Sequence, residues 1–315
     1  MQPLNYMPKA VQSLRELYLQ GSRETREDIG NLLSLLGKAE VFVLPPHGQL
    51  LDRGKPYPEV PGLMFRPPFP VVALEYEAPI LGSRDRHEFY SAAPCPKRIA
   101  MAYDLPPRDG LPEGGCAIVS ISYFAELARW MPVCGAGVIP YDAEYVTLAR
   151  TNFVASMIDM GAVSAKCARA RSMEMIVTPI WREPYAAIAI ERGAAGLVDI
   201  LSADLMDEVN AYRDMCIALA CKNVSTRKVS APAAINRKRI KSGKVPLSDF
   251  HVLEIEGADG LPGVAAGSGT SPRSHLRRGH VRRLGPDRIT WVNATIVSGW
   301  GGFVDKQYGV KGARP

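Results

Sequence analysis

No apolar run in these 315 residues approaches the roughly 20 residues that a membrane helix needs. The first residues, Met1-Gln2-Pro3-Leu4-Asn5-Tyr6, offer neither the basic start nor the apolar core of a signal peptide. Six cysteines are spread widely, at 95, 116, 134, 167, 216 and 221, with no C-x-x-C among them. That spacing argues against a zinc site, and without an export signal it predicts reduced thiols and a cytoplasmic protein. The chain also lacks a P-loop, a G-x-S-x-G elbow and an H-E-x-x-H helix, so no nucleotide, cofactor or metal is expected.

Acidic residues are scarce at the C-terminal end. Residues 222–288 hold 14 Lys and Arg against five acids, and residues 289–315 hold three against one. Of the chain's net charge of +6, this leaves −5 for residues 1–221. An acidic front joined to a basic back is the pattern of a body presenting a charged interaction surface. The hydrophobic content of 47% is ordinary for a folded protein, and the length suffices for one large domain or two smaller ones. The predicted class is α+β. A mixed helical and antiparallel acidic body covers residues 1–229, and a basic β-rich module covers 230–315, with the seam where composition turns basic.

Leu14, Leu17 and Tyr18 predict a first helix; Ser22 with Thr25 caps a second, carried by Ile29, Leu32, Leu33 and Leu36 and stopped at Gly37. Strands are predicted at 40–44, 71–76, 98–103, 116–123 and 173–178, with turn chemistry between them that suits an antiparallel meander. Residues 45–70 read as a long Pro- and Gly-rich loop, with His47 as a local hydrogen-bonding residue. Glu75 and Glu77 share a strand face, where paired carboxylates serve acid/base chemistry or an edge strand. Leu197, Leu201, Leu205, Val209, Tyr212, Cys216 and Leu219 predict a long helix over 197–221. A strand follows at 250–255, then a Gly/Ser/Pro-rich loop over 257–274, and a last strand is predicted at 302–308.

The most concentrated charge lies in Ser274–Arg283, where four arginines and two of the five histidines fall within ten residues. Gly285-Pro286-Asp287 is turn chemistry, and Ile289–Ile296 is β-branched and aromatic, so the segment reads as strand, turn, strand. Alternation would set Arg278, His280 and Arg282 on one face and His275, Arg277, Val281 and Arg283 on the other. A second basic run, Asn236–Lys244, reads as a loop and holds five cations: Arg237, Lys238, Arg239, Lys241 and Lys244.

Asn236-Arg237-Lys238-Arg239, His275-Leu276-Arg277-Arg278-Gly279-His280, Trp291-Val292 and Gly302–Tyr308 together resemble a C-terminal module of phage and plasmid proteins, a family that includes a type V-A anti-CRISPR protein. The resemblance covers about residues 236–310. Where that relative has an aromatic residue after the second histidine, this chain has Val281. The resemblance implies a mobile-element protein. For the anti-CRISPR member it implies translation-dependent loss of the effector mRNA after the nascent effector polypeptide is recognised.

The residues support binding of RNA, or of a ribonucleoprotein, by Arg277, Arg278, His280, Arg282 and Arg283. Arg237, Lys238, Arg239, Lys241 and Lys244 form a supporting clamp, and Trp291 is a stacking surface beside them. Two alternatives stand beside this. One is an inhibitor whose basic tail docks an acidic host protein. The other is a metal-independent ribonuclease with His275 and His280 as acid and base, which would need a bend at Gly279 to bring them together.

Overall fold

A computed structural model describes residues 4–51, 65–78, 95–143, 145–147, 171–173, 175–255, 275–277, 280–285, 288–292 and 295–297. Two helices, α1 (Tyr6–Gln20) and α2 (Arg23–Leu36), precede strand β1 (Glu40–Val43). Strands β2 (Val71–Glu77), β3 (Lys97–Leu105), β4 (Gly115–Phe124) and β5 (Arg129–Pro140) follow. Next come β6 (Tyr145–Thr147), β7 (Arg171–Met173), β8 (Ile176–Pro179) and the long helix α3 (Arg182–Leu219). Then come β9 (Val224–Val229), helix α4 (Ala233–Lys241), β10 (Phe250–Ile255) and four short strands: β11 (His275–Arg277), β12 (His280–Gly285), β13 (Arg288–Val292) and β14 (Thr295–Val297).

Eight strands form one sheet in the order β8-β5-β4-β3-β2-β1-β10-β9. From β2 through β5 to β8 every pair is antiparallel, as the meander reading expects. Strand β1 lies parallel to both β2 and β10, and β10 is antiparallel to β9. The β9–β10 pair carries the sheet across residue 229, so the chain passes within one sheet through the position where the change of composition sets a seam. Strand alternation then splits the core in two. Val41, Val43, Val71, Ala73, Ile99 and Met101 face α1 and α2. Phe42, Val72, Leu74, Tyr76, Ala100 and Ile118 face α3 through Leu201, Leu205, Tyr212 and Met215. Helices thus cover both faces, and each fully buried aliphatic or aromatic side chain contributes about 1.5–3 kcal/mol.

Strand β5 was not among the predicted strands because it contains Pro132, Gly135, Gly137 and Pro140, which read as breakers. Two of those glycines are where α3 and its flank come closest. A Cβ on Gly135 would stand 2.7 Å from Leu201 Cδ1, and one on Gly137 2.5 Å from Met175 Sδ. Helix α3 begins 15 residues before the predicted start. Its first part packs only Tyr185, Ile188 and Ala189 on the core, too short a stripe to stand out in the sequence, and Gly193 (φ 74°) interrupts it. Among the described residues, Cys116, Cys134, Cys216 and Cys221 are buried thiols outside any disulfide. Burial raises the Cys216 thiol to about 12 and the Cys221 thiol to about 11. No helix of the described residues is long and apolar enough to cross a membrane.

Candidate nucleic-acid interface

Strand β9 closes one end of the eight-stranded sheet, and its middle residues Ser225, Thr226, Arg227 and Lys228 are exposed. Pro232 then leads into α4, a nine-residue helix that buries none of its residues. A helix this short is marginal without tertiary support, and here the support is polar. Asn236 Nδ2 donates to the Leu247 carbonyl at 3.0 Å while its Oδ1 accepts from the Leu247 amide at 2.7 Å. One turn on, Arg239 Nε donates to the Val245 carbonyl at 2.8 Å. Asp249 Oδ1 accepts from the Ala231 amide at 2.9 Å and fastens the approach to the helix.

These tethers decide which side of α4 faces outward. Asn236 and Arg239, three apart, hold the inner side. Arg237, Lys238 and Lys241, related by three and four residues, share the outer side and are all exposed, as is Lys244 just beyond. None of these four makes an ion pair among the described residues. The second basic run is therefore a helix rather than the loop expected, and Arg239, one of the five clamp residues, is committed to the backbone of its own connection. Ile235 and Ile240, exposed at 46% and 62%, are five residues apart and flank the inner side without forming an apolar stripe. Such an arrangement lacks the apolar face of a membrane-surface helix.

The arginine-rich segment forms strands, as its chemistry predicts, at His275–Arg277, His280–Gly285 and Arg288–Val292, while residues 278–279 and 286–287 lie outside the described residues. His275–Arg277 pairs antiparallel with Thr295–Val297, and His280–Gly285 pairs antiparallel with Arg288–Val292. In the second ladder His280 is opposite Val292, Arg282 opposite Thr290 and Arg283 opposite Ile289. Arg278 lies outside the described residues, and for Arg277, Arg282, Arg283 and both histidines the description is of backbone register. His275 and His280 fall in separate two-stranded ladders. The strand predicted at 302–308 and the loop over 257–274 also lie outside the described residues.

Strand β13 is anchored to the body. Ile289 and Trp291, each 9% exposed, join the core cluster that contains Leu219's neighbours Ile217, Ala218 and Cys221. Asn223, just after α3, accepts from the Trp291 amide at 2.8 Å, accepts from Thr290 Oγ1 at 3.0 Å and donates to the Trp291 carbonyl at 3.0 Å. The Lys222 amide adds a bond to the Ile289 carbonyl at 3.3 Å. This corrects the reading of Trp291 as a stacking surface. Its indole is spent on core packing, and alternation along β13 gives Ile289 the same side. Two cations that the sequence reading did not single out lie at this junction. Lys222 and Arg288 are both exposed, and neither is ion-paired among the described residues.

Not every base on this side is available. Arg227 pairs with Glu254 across the β9–β10 ladder. Lys228 Nζ lies 3.2 Å from Glu40 Oε2 and 3.9 Å from Asp249 Oδ2. Glu40 also meets His251 Nε2 at 3.0 Å, and His251 stacks on Phe42 with ring centres 4.9 Å apart. Those contacts hold the Glu40 carboxyl below the usual range, the His251 bond first among the lowering causes.

Glu75 and Glu77 are both tied to the start of α1. Strand β2 is interior to the sheet, and Glu75, buried beneath α1, accepts from the Met7 amide at 2.7 Å at the start of that helix. Tyr6 Oη donates to Glu77 at 3.3 Å. Burial raises the Glu75 carboxyl above its ordinary range despite the helix amides. A buried charge cluster between the sheet and α3 left no trace in sequence spacing. Glu208, fully buried, accepts from Arg98 Nη1 and from Ser120 Oγ, both at 3.0 Å. Nearby Asp204 is pushed up to about 6, by burial first and then by the Glu208 charge. Among the described residues, no group of three or more His, Cys, Asp or Glu could hold a metal ion.

Comparison with family models, with curated proteins and with solved structures found no match to this chain.

Proposed function

We propose that this is an accessory protein of a phage or other mobile element, acting in the host cytoplasm, that binds RNA or a ribonucleoprotein through its basic C-terminal surface and so suppresses a host function such as CRISPR defence. One observation carries the reading. Helix α4 buries nothing, is held by polar tethers, and turns Arg237, Lys238 and Lys241 outward together without a carboxylate of its own. A helix that adds no core and concentrates repelling charge costs stability, and a polyanion offsets that cost. Lys222 and Arg288, both exposed where β13 meets the body, add cations to this end of the chain. The resemblance of residues 236–310 to a module of phage and plasmid proteins supports the biological setting.

The same cations suit an acidic protein surface, which is the competing reading. Crosslinking in plasmid- or phage-bearing cells, with RNA and protein both identified, distinguishes them. RNA adducts mapping to residues 222–292, and partners released by RNase, support RNA binding. Partners that survive RNase and DNase point to an acidic protein instead.

A further inference from the structure

We propose that the surface is a linear track along the β9 edge of the sheet, so that a single-stranded RNA engages both of its basic ends only when it is long enough to span that strand. This rests on the RNA-binding reading and adds its geometry. Strand β9 stands last in the described sheet order. At its start, Lys222 bonds Ile289 and Asn223 grips Trp291, which seats the hairpin there. At its end, Pro232 leads into α4. The six residues of β9, at about 3.3 Å each, separate these two ends by about 20 Å.

The cations differ along this line. At the hairpin end Lys222 and Arg288 have no ion-pair partner among the described residues, and at the helix end the same holds for Arg237, Lys238 and Lys241. Between them, Arg227 and Lys228 are engaged by Glu254, Glu40 and Asp249, while the hydroxyl residues Ser225 and Thr226 are exposed. A phosphate chain laid along the edge therefore gains most at the two ends and least in the middle. Stacked nucleotides spaced about 3.4 Å apart cross about 20 Å in roughly six residues. An oligomer shorter than that binds one end. A longer one closes the second contact within the same complex, which multiplies affinity rather than adding to it. Charge on an edge strand also blocks edge-to-edge aggregation, a role that demands no dependence on ligand length.

Fluorescence anisotropy of the full chain with labelled oligouridylates of 4, 8, 12 and 16 nucleotides, at one salt concentration, tests the track. Affinity should rise at least tenfold between 4 and 12 nucleotides and then level off. Two variants should each flatten the series: R237A/K238A/K241A at the helix end and K222A/R288A at the hairpin end. A wild-type series that is flat, that rises only in proportion to length, or that keeps its step in both variants overturns the track while leaving RNA binding intact. Absence of binding at every length overturns the RNA reading itself and the track with it.

Discussion

Asn223 holds Trp291 by both of its backbone groups, accepting from the amide at 2.8 Å and donating to the carbonyl at 3.0 Å. One side chain at the end of α3 thus acts as a strand neighbour for β13, and the buried indole locks the register. Asn223→Ala leaves both groups without these partners and should cost about 1–3 kcal/mol in urea unfolding. Asn223→Asp keeps the acceptor but loses the donor, so its loss should be smaller. Equal losses in the two variants would mean that the bonds accepted by Asn223 Oδ1 contribute nothing.

The Arg98–Glu208 pair sits between the sheet and α3 with Ser120 as its third member. Glu208→Ala leaves the Arg98 guanidinium without its main counter-ion and should destabilise by about 3–5 kcal/mol. The double change Arg98→Met with Glu208→Leu should recover most of that loss. Equilibrium denaturation of the three variants checks both statements, and a double variant no better than Glu208→Ala would contradict them.

Glu75 gives a pH dependence with a definite sign. Its folded carboxyl is raised above the unfolded value, chiefly by burial, so the native state binds its proton more tightly than the unfolded state does. Its contribution is therefore fully present below the unfolded pKa and is lost as pH rises through the raised folded one. Glu75→Gln retains an oxygen to accept from the Met7 amide but carries no charge. The variant's midpoint of thermal unfolding should fall less than that of the wild type as pH climbs from the carboxylate range toward neutrality. A wild type whose stability rises more steeply than the variant's across that window would reverse the assignment.

Much of the body was legible because its residues obey local rules. The Ser22 cap, the Gly37 stop and the strands predicted at 71–76, 98–103 and 116–123 all agree with the tertiary structure. What escaped depends on contacts distant in sequence. Gly135 and Gly137 read as breakers until Leu201 and Met175 are set against them. Trp291 reads as a free aromatic until Asn223, 68 residues earlier, turns it into the core. The basic run 236–244 reads as a loop because its inner side is held by side-chain bonds to backbone at Val245 and Leu247 instead of by apolar spacing. Glu208 is one acid among several on α3, and nothing in its spacing marks it as the one facing Arg98. Charge, in contrast, was legible directly, since composition alone places the cations after residue 222.

Because α4 buries no residue, R237A/K238A/K241A should unfold within about 0.5 kcal/mol of the wild type. That makes it a clean probe of binding. The slope of log affinity against log salt for single-stranded RNA counts the phosphates neutralised, at about 0.7 per contact. The wild type should give a slope of roughly −4 to −6, corresponding to six to eight contacts. The triple variant should be shallower by about 2, with weaker binding at every salt concentration. A wild-type affinity indifferent to salt, or a variant slope equal to the wild type's, would contradict the assignment of this surface to a polyanion.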